Sequence, residues 1–356
     1  MATATAAATT AIFAGTALAD PPATYSPTIT DRAGVGSDTT ELVMNALTWG
    51  QDAPTVNPPT TGFNSTVAQT AGWYDSWNAT GSATITTKPG CTGITRPNGS
   101  SAGITALVNS GVSTVDNTTP CIDFARSSRG PKADGTDVDK NGNPLFFEPF
   151  AQDVLQYASS APTTSFPSVP ATNAPQNLTA AQLKTIYTTV GITWTAVGGT
   201  STDVIQKVIP QAGSGTRTFF EGQLGITDSQ LASDVITVQE HDPAPIRANA
   251  DRVGPFSDAR FTHVDSDQGI KLDGTVTAPT GFNASREIYN VVKLDPATLQ
   301  IPAYLQPLLG DGSGTVSTGS NWLCSSAAQT IITSEGFINL PNGTAAGDCG
   351  VAEHNP

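Results

Sequence analysis

The sequence predicts an α/β protein in which helices are layered on a sheet. Helix-start signatures alternate along the chain with short apolar runs of strand character. Three Gly-Ser turns each stand where a helix begins. The chain has 356 residues, of which 38% are hydrophobic and only 13% charged, enough apolar material for about two domains with real cores.

In chain order, Ala11–Ala19 is a short apolar stretch ending in Ala17-Leu18-Ala19, a small-x-small pattern followed by Asp20-Pro-Pro. It reads as the end of a secretory signal peptide over residues 1–19; since the first basic residue is Arg32, the favoured expectation is a truncated start, and the alternative is a disordered N-terminus. Asp38-Thr-Thr-Glu41 then precedes the apolar Leu42–Leu47, a capping-box pattern. Pro-, Ser- and Thr-rich stretches at 52–70 and 159–176, and a Gly/Ser/Thr-rich one at 310–320, read as surface loops. Thr179-Ala-Ala-Gln182 is a second capping box, ahead of Leu183, Ile186 and Tyr187. Cys121–Ala125 and Asp203–Ile209 read as strands.

Four cysteines allow three connectivities, and proximity favours Cys91–Cys121 and Cys324–Cys349. No Cys-x-x-Cys spacing exists, so a zinc site or redox dithiol is not expected. Disulfides and a signal-like start point to an oxidising, extracellular or periplasmic compartment. Sixteen basic and thirty acidic residues give a net charge of −14, which argues against nucleic acid as partner. No apolar run approaches the roughly 18–20 residues of a membrane span.

The three turns are Gly34-Val-Gly-Ser-Asp-Thr-Thr40, Gly99-Ser-Ser-Ala-Gly103 and Gly213-Ser-Gly-Thr216, the last leading into Arg217–Leu224. Helix N-termini expose unpaired N–H groups and about half a positive charge, so they hold anions without a basic side chain. Each turn alone is also an ordinary N-cap. A fourth copy, Gly312-Ser-Gly-Thr315, precedes no amphipathic pattern and reads as a loop. Of the nine arginines, Arg96, Arg126, Arg129 and Arg217 lie in or beside these segments. A guanidinium there can hold two oxygens of one anion, although pairing with surface carboxylates is the commoner use.

The order of these segments resembles the substrate-binding protein of the bacterial phosphate ABC transporter. The matching pieces are Gly34–Asp38, Gly99–Ser101, Ile122–Ser128, Gly213–Thr216, Leu178–Tyr187 with Thr193-Trp194, and Ile288–Val292. The resemblance implies a two-lobed, periplasmic-binding-protein-like fold of type II. Two crossover strands would join the lobes, and the anion would lie in the cleft. Lobe 1 would then comprise 20–150 and 253–356, and lobe 2 residues 151–252. Ser100 matches a phosphate-binding serine of the family, and Ser214, Gly215 and Thr216 match its phosphate-binding turn. The family's first-turn threonine falls on Asp38, with Thr39 beside it. Its aspartate falls on Ser128 and its arginine on Pro210.

The candidate phosphate site is therefore Asp38, Thr39, Ser100, Ser101, Arg126, Ser128, Gly213, Ser214, Gly215, Thr216 and Arg217. Arg126 or Arg217 would replace the missing guanidinium. Asp38 would replace the missing carboxylate, where it would accept the proton of phosphate and reject unprotonated sulfate. The competing reading is that Asp38 only caps its helix.

Asp137-Val-Asp-Lys-Asn-Gly142 with Glu148 has the spacing of a calcium loop, but Pro144 and the non-helical approach exclude an ordinary EF-hand; a bare calcium loop and a plain solvated insertion both remain readings. No other cofactor is expected. The leading function is extracellular capture of phosphate or a similar tetrahedral oxyanion for an ABC transporter permease. The alternatives are a secreted surface or matrix protein with an altered or lost site, and a hydrolase built from Ser214 with His241 and Asp242. Neighbouring His and Asp point apart, so the chain is expected not to be an enzyme.

Overall fold

The computed structural model describes residues 20–22, 25–50, 59–263, 267–272, 281–317 and 320–354. The signal-peptide reading of residues 1–19 lies outside them. The elements in chain order are β1 (Arg32–Gly36), α1 (Glu41–Trp49), β2 (Tyr74–Ser76), β3 (Thr84–Ile85), β4 (Ile94–Thr95), α2 (Ser100–Asn109), β5 (Phe124–Ser127) and β6 (Phe146–Ser160). They continue with α3 (Ala180–Thr188), β7 (Gln206–Pro210), α4 (Gly215–Leu224), β8 (Ile236–Val238), α5 (Pro243–Arg247), β9 (Arg252–Ser257) and α6 (Asp258–His263). The last are β10 (Ile270–Leu272), β11 (Ala284–Val292), α7 (Gln306–Leu309), α8 (Ser326–Ser334) and β12 (Ile338–Asn339).

One sheet runs through the molecule in the order β2-β1-β5-β11-β6-β9-β7-β8, with β10 and β12 also paired to β6. Its two ends are parallel triplets: β1 pairs in parallel with β2 and β5, and β7 with β8 and β9. Its centre is antiparallel, β5 to β11, β11 to β6 and β6 to β9. The triplets are the sheets of two lobes, and the antiparallel centre joins them. β6 enters lobe 2, β9 returns, and β11 is a third strand that spans both lobes. β11 runs beside β6 from one core to the other.

Packing divides in the same way. Val43, Met44, Leu47, Phe124, Phe150, Ile288, Leu308 and Ile332 form one buried core, and Val35, Leu107, Phe147 and Val291 pack on the opposite sheet face. Leu155, Tyr157, Leu183, Tyr187, Trp194 and Phe220 form the core of lobe 2. The 15-residue β6 spans both, with Phe150 in one core and Leu155 in the other. Phe282 also packs in lobe 2, and β10 pairs with the lobe 2 end of β6, so the chain visits that lobe again after β9.

The second capping box forms as read: Thr179 accepts from the Gln182 amide while Gln182 accepts from Thr179 N. The first does not. The N-cap of α1 is Thr40, with no side-chain bond, and Glu41 turns away to accept from Ala79 N. Both disulfides, Cys91–Cys121 and Cys324–Cys349, are present. Gly36, at φ +122°, and Gly103 let β1 and α2 approach so closely that a Cβ on Gly103 would lie 2.5 Å from Gly36 Cα.

Candidate anion site

In parallel sheets the loops that can build a site leave the carboxyl ends of the strands. Here β1, β5 and β7 all end at the junction of the lobes. β1 leads through Ser37–Thr40 into α1, β5 leads to Ser128, and β7 leads through Gly213 and Ser214 into α4. The start of α2 supplies Ser100. Thr39, Ser100, Ser128, Ser214 and Thr216 are all fully buried.

One pair of hydroxyls meets across the cleft and another within lobe 1. Thr39 Oγ1 and Thr216 Oγ1 are 3.2 Å apart, and Ser100 Oγ and Ser128 Oγ 3.3 Å apart. Ser100 Oγ also accepts from Ser128 N at 3.0 Å. Gly215 closes on this pair, since a Cβ there would collide with both serine hydroxyls. Ser214 is the N-cap of α4, accepting from Arg217 N at 3.0 Å, so its hydroxyl proton remains free to donate. Gly213 O accepts from Ser101 N at 3.0 Å, and Ser101 Oγ accepts from Arg129 Nε, which places these two at the rim.

The charge at the centre comes from a residue outside the expected set. Arg286 on β11 lies opposite Asp153 on β6, and its Nε and Nη2 donate to Asp153 Oδ2 at 3.0 and 2.7 Å. Its Nη1 donates to Ser128 O at 3.3 Å, and Nη2 reaches Thr39 Oγ1 at 3.5 Å. Arg286 thus reaches Thr39 at its hydroxyl and Ser128 at its main-chain carbonyl. Glu240 is the second addition. Its Oε1 accepts from Thr39 Oγ1 at 3.2 Å, and its Oε2 is buried with no hydrogen-bond partner among the described residues.

The arginines favoured by sequence are engaged elsewhere. Arg126 donates to Ser76 Oγ at 2.7 Å and to Ser37 O at 3.3 Å, bracing the turn from behind. Burial lowers its pKa to about 10, which leaves it charged at neutral pH. Arg217 is held by Asp228, Glu221 and Pro210 O on the outer side of α4. Arg217 is the third residue of α4, and with acids within reach on and beside the helix it pairs locally rather than into the cleft.

Asp38 neither caps α1 nor faces the hydroxyls. Its Oδ1 lies 2.7 Å from His241 Nδ1, and its Oδ2 accepts from Gln239 Nε2 at 3.4 Å. Burial raises its pKa, against the pull of Arg260 and Arg126. Burial likewise lowers His241 to about 3, so its imidazole is neutral. The hydrolase arrangement is not formed: His241 is turned to Asp38, and Asp242 caps α5 by accepting from Ala244 N.

The calcium spacing is not assembled either. Arg129 grips Asp137 through both carboxylate oxygens at 2.8 and 2.9 Å. Glu148 lies on β6, 2% exposed. Among the described residues no group of three or more His, Cys, Asp or Glu is placed to hold a metal ion.

A family model, the PBP superfamily domain, matches residues 55–304. Among solved structures, the chain is similar to a Clostridium perfringens protein described as a phosphate ABC transporter substrate-binding protein with bound phosphate. Identity is 18%, coverage 87% of this chain and 99% of that one, and the TM-score 0.55. It is also similar to an ABC-type phosphate transport receptor from Vibrio cholerae, at 20% identity, 86% and 99% coverage and a TM-score of 0.50. At such identities the likeness establishes the fold. No curated protein matches the chain in sequence. With two lobes on one crossed sheet and a family match over most of its length, the chain belongs to the PBP superfamily.

Proposed function

We propose that the protein binds inorganic phosphate, or a similar tetrahedral oxyanion, between its lobes and delivers it to an ABC transporter permease. The observation that carries this reading is the convergence of Thr39, Ser100, Ser128 and Thr216 hydroxyls with the Arg286 guanidinium in one buried place. Such a set donates many hydrogen bonds to one small anion. Arg286 offers the positive charge and a planar fork for oxygens. Hydroxyls and the helix N-termini of α1, α2 and α4 share the rest. Low local dielectric strengthens each of these bonds, and their short range lets them act within a protein of net charge −14.

Glu240 gives the site its preference. A carboxylate facing an oxyanion repels it unless a proton lies between them. Monohydrogen phosphate carries that proton at neutral pH, and sulfate does not. The partnerless Glu240 Oε2 is the acceptor suited to this role, in place of Asp38.

The fold of two phosphate receptors supports the reading, as do two disulfides, which suit an extracellular or periplasmic compartment. No helix among the described residues is long and apolar enough to cross a membrane. The role is one of binding without turnover.

The test is isothermal titration of dialysed protein with phosphate and then sulfate at pH 7. One-to-one phosphate binding with much weaker sulfate binding supports the proposal. No heat with either anion, and an unchanged melting temperature in excess phosphate, would refute it and favour a secreted protein that keeps the fold for another use.

A further inference from the structure

One short turn of lobe 2, between β8 and α5, makes side-chain hydrogen bonds to lobe 1 from three successive residues, Gln239, Glu240 and His241. Gln239 Oε1 accepts from Asn98 Nδ2 at 2.8 Å, and Gln239 Nε2 reaches Asp38 Oδ2. Glu240 accepts from Thr39. His241 meets Asp38 at 2.7 Å. Gln211, at the end of β7, completes the grip. Its Nε2 donates to Asn98 Oδ1 at 2.8 Å, while its Oε1 accepts from Glu240 N at 2.8 Å and so ties the turn to its own lobe. Asn98 is therefore held at both ends of its amide by two lobe 2 glutamines.

The turn is shaped for this grip. His241 adopts φ +54°, a left-handed conformation that costs energy for a residue with a Cβ. Phe256 packs edge-on against its ring at 5.1 Å, fixing the imidazole toward Asp38. Close by, Gly99 and Gly213 bring the two backbones together, since a Cβ on Gly99 would lie 2.6 Å from Gly213 O.

We propose that the Gln239–His241 turn, with Gln211, is a latch that holds the lobes closed through Asp38, Thr39 and Asn98. Closure then does not wait for the anion, and release of a bound anion is limited by opening of the latch. The latch itself does not require the anion reading; only its consequence for release rests on that reading.

Every bond in the latch joins protein groups alone, so it can be tested without ligand. The variants Asn98→Ala and Gln239→Ala remove cross-lobe amide bonds and touch none of the proposed anion contacts. Each is checked for folding by circular dichroism, and Gln239→Ala, in a half-buried surface turn, serves if Asn98→Ala does not fold. Small-angle scattering is then recorded in phosphate-free buffer and in saturating phosphate. The expected result is a compact wild-type protein in both buffers. The variants should expand in phosphate-free buffer, with the closing equilibrium weakened about tenfold. Identical wild-type and variant profiles in phosphate-free buffer, or a wild-type protein as expanded as the variants, would overturn the latch. If the variants expand but phosphate compacts nothing, the latch stands and the phosphate reading fails. Where phosphate does bind, stopped-flow release from the variants should be about tenfold faster; an unchanged rate would overturn the link to release.

Discussion

Arg286 and Asp153 face one another across the antiparallel β11–β6 pair, with two guanidinium N–H groups on a single carboxylate oxygen. Both residues are at least 95% buried, and Asp153 also accepts from Ser257 Oγ on β9 at 2.7 Å. Three of the strands that join the lobes thus meet at one carboxylate. It fixes the guanidinium from behind and leaves Nη1 and Nη2 to reach Ser128 O and Thr39.

Removing Asp153 strands the Arg286 charge in the interior. Asp153→Ala is expected to cost about 3–5 kcal/mol of stability by urea denaturation, as for other broken buried pairs. Asp153→Asn should cost less. Titration of the folded Asn variant should show weakened phosphate binding, because the guanidinium loses its orientation. Full affinity in that variant would mean that Arg286 does not need its partner to meet the anion.

The arginines give a sharper contrast. Arg286→Lys keeps a charge but loses the fork, and phosphate affinity is expected to fall about 10- to 100-fold, the value of one or two charged hydrogen bonds. Arg217→Ala should leave affinity within about twofold, since that side chain serves Asp228 and Glu221 outside the cleft. Equal losses in the two titrations would return Arg217 to the site.

How far the site can be read from sequence follows from where each residue sits. The Gly-Ser turns at 99–101 and 213–216 declare themselves, because a helix start needs those residue types next to one another in the chain. Ser128 is legible for the same reason, following its strand directly. Arg286 is not, because its meaning depends on Asp153, which is 133 residues away and becomes its neighbour only through strand register. A sequence cue did exist. Arg286 stands just ahead of Ile288–Val292 and Asp153 inside Phe146–Ser160, but Glu287 and Glu148 lie in the same two segments. Several charges could pair there, and only the strand register selects Arg286 with Asp153. Asp38 misled in the opposite sense. Its spacing to Glu41 is a fair capping box, but His241 from the other lobe and Ala79 N outcompete that local use.

Glu240 and Asp38 make separable predictions. Glu240→Gln replaces an acceptor with a group that can donate to a fully unprotonated anion. Phosphate binding should weaken about tenfold or more and sulfate binding should gain, collapsing the selectivity. Asp38→Asn should preserve the preference for phosphate over sulfate, since that carboxylate belongs to His241. Paired titrations with both anions decide it, and loss of selectivity in Asp38→Asn alone would restore Asp38 as the selecting group.

Glu148 predicts a stability effect unrelated to the anion. It lies opposite Asn290 across the β6–β11 pair, and neither its two oxygens nor Asn290 Oδ1 has a hydrogen-bond partner among the described residues. Burial first, and then the charge of Asp311, push its pKa well above the ordinary value. The folded state therefore holds a proton that the unfolded state releases once pH passes the usual glutamate range. Stability must fall as pH rises above that point, because the native state binds more protons there. Glu148→Gln removes the titration and can donate to Asn290 Oδ1. At pH 7 the variant is expected to be more stable by about 1–3 kcal/mol, raising Tm by roughly 2 °C per kcal/mol. Below about pH 4 the glutamate is protonated in both states, so the advantage should vanish. Thermal melts of both proteins from about pH 3 to pH 8 measure the difference. A gain of the same size at every pH would show that packing, and not the proton, separates them.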